Sequence, residues 1–244
     1  MEKRSYLLVH GGSHGGWCWR DVAVHLRAAG HVVFTPTQTG LGERRHLMSP
    51  DITLDTFVDD IANVIEAEEL EDLYLVGHSF GGCAVVGVAE RMPQRLRHLV
   101  FLDSLIPMSG QSIMSGLPPD VREARLAAAD KFSGGLCSPV PPATNFGLSR
   151  EREGDATLDW VQRRLTPQPL RTYLTSLTLA HPVGNGVPAT YIRCTDPLYP
   201  IVTPSAEFAK AQSGWDYREI ATCHDAMISA PRELAEMLLS INAG

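Results

Sequence analysis

The sequence predicts an α/β fold, a mostly parallel sheet flanked by helices with one inserted cap. Three observations carry this. Short, continuous apolar runs bounded by glycine alternate with longer segments whose apolar residues recur at helical spacing. The short runs are apolar at consecutive positions, as strands buried on both faces of a parallel sheet must be. The alternation breaks once, after residue 105, and resumes near residue 188.

The elements follow in order. Residues 6–10 form a first strand that runs into glycines. Residues 19–29 carry a helical pattern that stops at Gly30, and 31–35 form the next strand. In 54–68, Phe57, Val58, Ile61, Val64 and Ile65 follow the i, i+3, i+4, i+7 pattern, with acids opposite. Strand 72–77, helix 83–91 and strand 98–102 complete the first half. The stretch from Ile106 to Val187 is rich in Pro, Gly and Ser, with short helical pieces at 121–129 and 158–165. A structureless connection of that length is uncommon, so residues 106–187 are expected to form a cap over the site. The core is then 1–105 and 188–244, closing with a strand at 189–194, a helix near 205–212, a strand at 217–220 and a helix over 232–241.

A chain of 244 residues is long enough for one large domain with a full core. A net charge of −7, with no Lys/Arg stripe, argues against nucleic acid as a partner. The pairs Arg44-Arg45 and Arg163-Arg164 read as solvated surface. Cys18, Cys83, Cys137, Cys194 and Cys223 are an odd set without C-x-x-C or His/Cys ligand spacing, so they read as core fillers rather than disulfides or a metal site. The apolar run after Lys3 and Arg4 is too short for a signal peptide, and no run could span a bilayer. The expectation is a cytoplasmic protein acting on a small molecule, away from membranes; an exposed cap leaves a homodimer open.

The chemistry concentrates at Gly77-His78-Ser79-Phe80-Gly81, which fits G-x-S-x-G. An abrupt strand-to-helix turn would hold the Ser79 hydroxyl at the carboxyl end of the sheet. Glycines two positions before and after would remove Cβ atoms that clash there. The amino terminus of the following helix favours negative charge. Serine needs a base to become a nucleophile, and the chain order for this motif is serine, acid, histidine. His224, between the last strand and last helix, fits that base. His181 beside Pro182 reads as a cap or surface residue. Oxyanion donors are expected from the backbone of Phe80, directly after the serine, and of Gly12, in the loop after the first strand. His10 reads as the organiser of that loop.

His10-Gly-Gly-Ser-His-Gly-Gly-Trp17, Leu75-Val-Gly-His-Ser-Phe-Gly-Gly82 and the late His224 resemble the α/β-hydrolase superfamily, within it the branch of plant methyl esterases and hydroxynitrile lyases. Thr37-Gln-Thr-Gly-Leu-Gly-Glu-Arg44 resembles a stretch in bacterial esterases of that branch, some of which cleave pyrethroid esters or benzimidazole carbamates. The resemblance implies an α/β-hydrolase fold, a cap after the Val100 strand and no cofactor. It covers most of the chain and is weakest in the cap. The lyases carry a threonine after the first-loop histidine and a lysine after the catalytic histidine; here Gly11 and Asp225 stand there. A carboxylate beside the base cannot stabilise cyanide, so ester-type hydrolysis is preferred.

Two aspartates qualify as the acid that orients His224. Asp196, after the 189–194 strand, is the favoured one, because its place and its spacing to Pro200 resemble the branch pattern. Its turn is about one residue short of that pattern. Asp103, after the 98–102 strand, is the alternative, as in certain haloalkane dehalogenases. Asp225 reads as a helix-entry acid. The expected function is hydrolysis of a small, largely apolar ester or carbamate through an acyl-enzyme, with Trp17, Trp160 and Met227 as candidate pocket residues beside Phe80. Core packing is the alternative reading for each of the three. The rivals are a lyase or lactonase on the same scaffold, and a non-catalytic ligand receptor.

Overall fold

The computed structural model describes residues 3–241. The chain runs β1 (Ser5–Val9), α1 (Arg20–Ala28), β2 (Val32–Phe34), α2 (Leu54–Ala67), β3 (Leu73–His78), α3 (Gly81–Arg91) and β4 (Leu96–Leu102). The segment that breaks the rhythm holds α4 (Pro119–Ser133), β5 (Cys137–Ser138), α5 (Arg150–Glu153), α6 (Asp155–Gln162), β6 (Gln168–Pro169) and α7 (Arg171–Leu174). Then come β7 (Ala189–Cys194), α8 (Thr203–Ala211), β8 (Trp215–Ile220), α9 (Ala226–Ser229) and α10 (Pro231–Leu239).

Six strands form one sheet in the order β2-β1-β3-β4-β7-β8, and every pairing is parallel. Both faces are covered, which is why the strands read as unbroken apolar runs. Side chains alternate between the faces. Leu7, Leu75, Leu99 and Phe101 pack on one side with α2 and α3, and Leu8, Val76, Val100 and Leu102 on the other with α1 and α10. In α2, Phe57, Val58, Ile61 and Ile65 are buried, and Thr53 and Thr56 close its amino terminus as a capping box.

Strand order reverses between β1 and β3, since β2 lies on one side of β1 and β3 on the other. Loops leaving the carboxyl ends there diverge to opposite faces and open a crevice, the usual place for a site in such sheets. Residues 105–173 supply much of the wall above it. Within that segment β5 and β6 pair antiparallel, and a small apolar cluster of Ala143, Phe146, Leu148, Leu158, Val161 and Leu165 packs against Cys223. All five cysteines are buried and free. Among the described residues no helix is long and apolar enough to cross a membrane.

Candidate active site

Ser79 sits between β3 and α3 with φ +51°, a left-handed conformation that an L-residue adopts only under constraint. Its neighbours supply that constraint. A Cβ on Gly77 would lie 2.7 Å from Val85 Cγ2, and one on Gly81 would lie 2.6 Å from the His10 carbonyl oxygen. The elbow is therefore wedged between α3 and the loop after β1, and the Ser79 amide is tied to the Leu102 carbonyl at 3.1 Å.

The Ser79 hydroxyl donates to His224 Nε2 at 2.9 Å, and His224 Nδ1 donates to Asp103 Oδ2 at 2.6 Å. A carboxylate can only accept, so it fixes the proton on Nδ1 and leaves Nε2 as the acceptor facing Ser79. Asp103 is fully buried. Its other oxygen accepts from Arg193 Nη1 at 3.0 Å and from the Cys194 amide at 3.3 Å. Arg193 is anchored in turn by the Tyr199 carbonyl and Thr203 Oγ1. The preference for Asp196 is thus corrected. Its side chain is 58% exposed and pairs with Arg152 on the surface, while the acid beside His224 is Asp103. The chain leaves β4 through a left-handed turn at Asp103, φ +38°, which turns that carboxylate inward.

The loop after β1 is held by side chains on every side. His10 Nδ1 donates to the Gly11 carbonyl and its Nε2 accepts from the Gln38 amide, the pattern of a neutral ring. Burial pushes His10 down to about 3, against the pull of the Gly11 carbonyl. His14 differs. Its Nδ1 faces the Gly12 carbonyl at 2.8 Å and its Nε2 faces Asp225 Oδ2 at 3.1 Å. Two acceptors call for two N–H groups, so the imidazolium is the form that fits. Burial opposes that charge, but the charge and hydrogen bond of Asp225 outweigh it and raise His14. Asp225 does precede α9, yet its side chain turns inward to His14 rather than capping the helix. Neither the Gly12 nor the Phe80 amide donates to a protein acceptor among the described residues. Both residues line the cavity in front of Ser79.

That cavity measures about 490 Å³. Its apolar walls include Leu105, Ile113, Leu117 and Phe146, and Tyr173 and Tyr199 line it as well. Tyr199 stacks on the His224 ring at 3.9 Å, and Tyr173 meets Phe80 edge-on at 4.7 Å. The three expected pocket residues lie elsewhere. Trp17 stacks on the far side of His14 and meets Trp160 edge-on at 5.1 Å, where Arg20 and Arg164 cover the Trp160 ring. Met227 is buried in the core beneath the sheet. The sequence reading missed Arg193, the His14–Asp225 pair, both tyrosines and Arg125 at the cavity wall. Only His14 carried a signal, as the second histidine of a glycine-rich loop.

Fold and site together define a class, and the chain belongs to the alpha/beta hydrolase family, whose model matches residues 6–237. It is a carboxylic-ester-type hydrolase. Among its relatives, the carbendazim hydrolyzing esterase of Nocardioides sp. (strain SG-4G) is 42% identical, over 97% of this chain and 99% of that one. The methyl jasmonate esterase 1 of Vitis vinifera is 33% identical over 44% of this chain and 42% of that one. An extracellular alpha/beta-hydrolase from a Paenibacillus species shares the fold with a TM-score of 0.81 at 24% identity, over 97% of this chain and 98% of that one.

Proposed function

We propose that the protein is a serine hydrolase that cleaves a small, largely apolar ester or carbamate through an acyl-enzyme. The observation that carries this reading is the unbroken hydrogen-bonded line from Ser79 through His224 to buried Asp103, with Ser79 at the wall of a mostly apolar cavity. A cavity of about 490 Å³ suits a small molecule. The name of the Nocardioides relative supports including carbendazim in a substrate panel.

In the mechanism, Ser79 Oγ attacks the carbonyl carbon while His224 Nε2 takes its proton. Asp103 holds the imidazolium that results, and the Gly12 and Phe80 amides receive the oxyanion. His224 then gives its proton to the leaving alcohol or amine. Water enters by the same route, loses a proton to His224 and releases the acid, with Ser79 regenerated. Ser79→Ala should lower kcat by about 10⁴-fold or more on an ester panel, and should abolish labelling by a fluorophosphonate. Full activity in that variant would end the reading.

A further inference from the structure

Arg125 projects from α4 into the wall of the catalytic cavity. It makes no hydrogen bond or ion pair with any described residue, whereas Arg193 and Arg152 are both held by aspartates. Among the described residues no carboxylate lines the cavity. The groups that feel the guanidinium are the phenols of Tyr173 and Tyr199. Burial raises both, Tyr199 to about 12, so neither supplies a negative charge near neutral pH. The carboxylates behind the catalytic serine are committed, Asp103 to Arg193 and His224 and Asp225 to His14, and the acids of α4 itself, Asp120, Glu123 and Asp130, form no ion pair with Arg125 among the described residues. A half-buried cation beside an apolar cavity thus lacks a protein counter-charge. A ligand is the remaining source of one.

We propose that Arg125 is a specificity residue that binds a carboxylate on the substrate, on the part remote from the scissile carbonyl. This rests on the serine-hydrolase reading and narrows its substrate class to monoacidic esters or carbamates. The acid would lie under α4 and the apolar remainder against Leu105, Ile113 and Leu117. A guanidinium matches a carboxylate with two parallel N–H···O bonds, and partial removal from water strengthens that pair over a surface one.

The test uses the mono-4-nitrophenyl ester of adipic acid against 4-nitrophenyl hexanoate, which differ by a carboxylate in place of the terminal methyl group. The wild-type kcat/KM ratio should favour the acid. Arg125→Gln should lower that ratio roughly tenfold or more, mainly through KM. Arg122→Gln, on the same helix and outside the cavity lining, should leave the ratio unchanged. A wild-type ratio that disfavours the acid, or a ratio untouched by Arg125→Gln, overturns the proposal. Binding decides the matter without turnover. Ser79→Ala protein should bind phenyl hydrogen adipate more tightly than phenyl hexanoate, and adding Arg125→Gln should remove the difference. Equal binding refutes the Arg125 proposal. A binding preference without turnover or fluorophosphonate labelling in the wild type refutes the hydrolase reading alone.

Discussion

At the residue scale the sharpest question is which aspartate serves His224. Asp103 and Asp196 follow β4 and β7, which lie side by side and in parallel. Both therefore emerge at the same end of the sheet, and strand assignment cannot separate them. The separation comes from what each chain does next. Asp103 turns inward through positive φ and meets Arg193 and the Cys194 amide. Asp196 follows β7 outward to Arg152 on the surface. Those turns depend on long-range partners that no local pattern encodes, whereas Ser79 and His224 were legible because glycine spacing and chain order mark them. Asp103→Asn should lower kcat by roughly 10³–10⁴-fold, because the amide would favour the wrong tautomer of His224. Asp196→Asn should stay within about twofold, since an exposed ion pair contributes little. Steady-state kinetics on one ester decide it, and equal losses in both variants would remove Asp103 from its proposed role.

At the scale of elements, α2 and α3 show how close packing overrides propensity. α2 was legible from its 3.6-residue pattern, and α3 from the continuous apolar run that follows the turn at Ser79. The insertion was less so, because α4 buries only Ala129 and its sequence has no continuous apolar stripe. Gly87 lies mid-helix in α3, where alanine is ordinarily preferred by about 1 kcal/mol. Here a Cβ would stand 2.3 Å from Val58 Cγ2 on α2, and two more Val58 atoms lie within 3.3 Å. The overlap falls between two buried helices, and overpacking of that kind costs about 1–3 kcal/mol. The clash at 2.3 Å falls at the costly end and outweighs the propensity gain, so Gly87→Ala should destabilise by up to about 2 kcal/mol net. Val58→Ala alone also destabilises, by opening a cavity. The double variant should lose less than the two together, because each change relieves the other's fault. Urea unfolding of all four proteins measures this, and simple additivity would show that the helices are free to move apart.

At the scale of the whole molecule, the buried histidines set how stability depends on pH. Burial, with smaller contributions from neighbouring cations, lowers His10 to about 3 and His98 to about 4; it also pushes His78 well below its ordinary value, with His224 and His14 adding to the effect. The unfolded chain takes up protons on these residues near pH 6.5, and the fold refuses them. Their contribution is therefore present above pH 6.5 and is lost as pH falls toward 4 and below, by about 1.4 kcal/mol per pH unit for each proton withheld. His14 has the opposite sign. Paired with Asp225 it is raised, so its contribution is full below pH 6.5 and is lost as pH rises through its folded value. His31 is lowered as well, by burial and then by Arg4, so four groups against one make the acid side the steeper. His98 is the informative probe, since it lies away from the cavity, on β4, with Nε2 bonded to Thr190 Oγ1. His98→Gln can keep that bond while removing the titration, so the slope of unfolding free energy between pH 6 and 4.5 should fall by about one proton's worth, roughly 1.4 kcal/mol per pH unit. His14→Gln should instead flatten the loss above pH 6.5. Chemical denaturation across the pH range reads both limbs, and an acid slope unchanged by His98→Gln would mean that His98 takes up its proton in the fold as readily as in the unfolded chain.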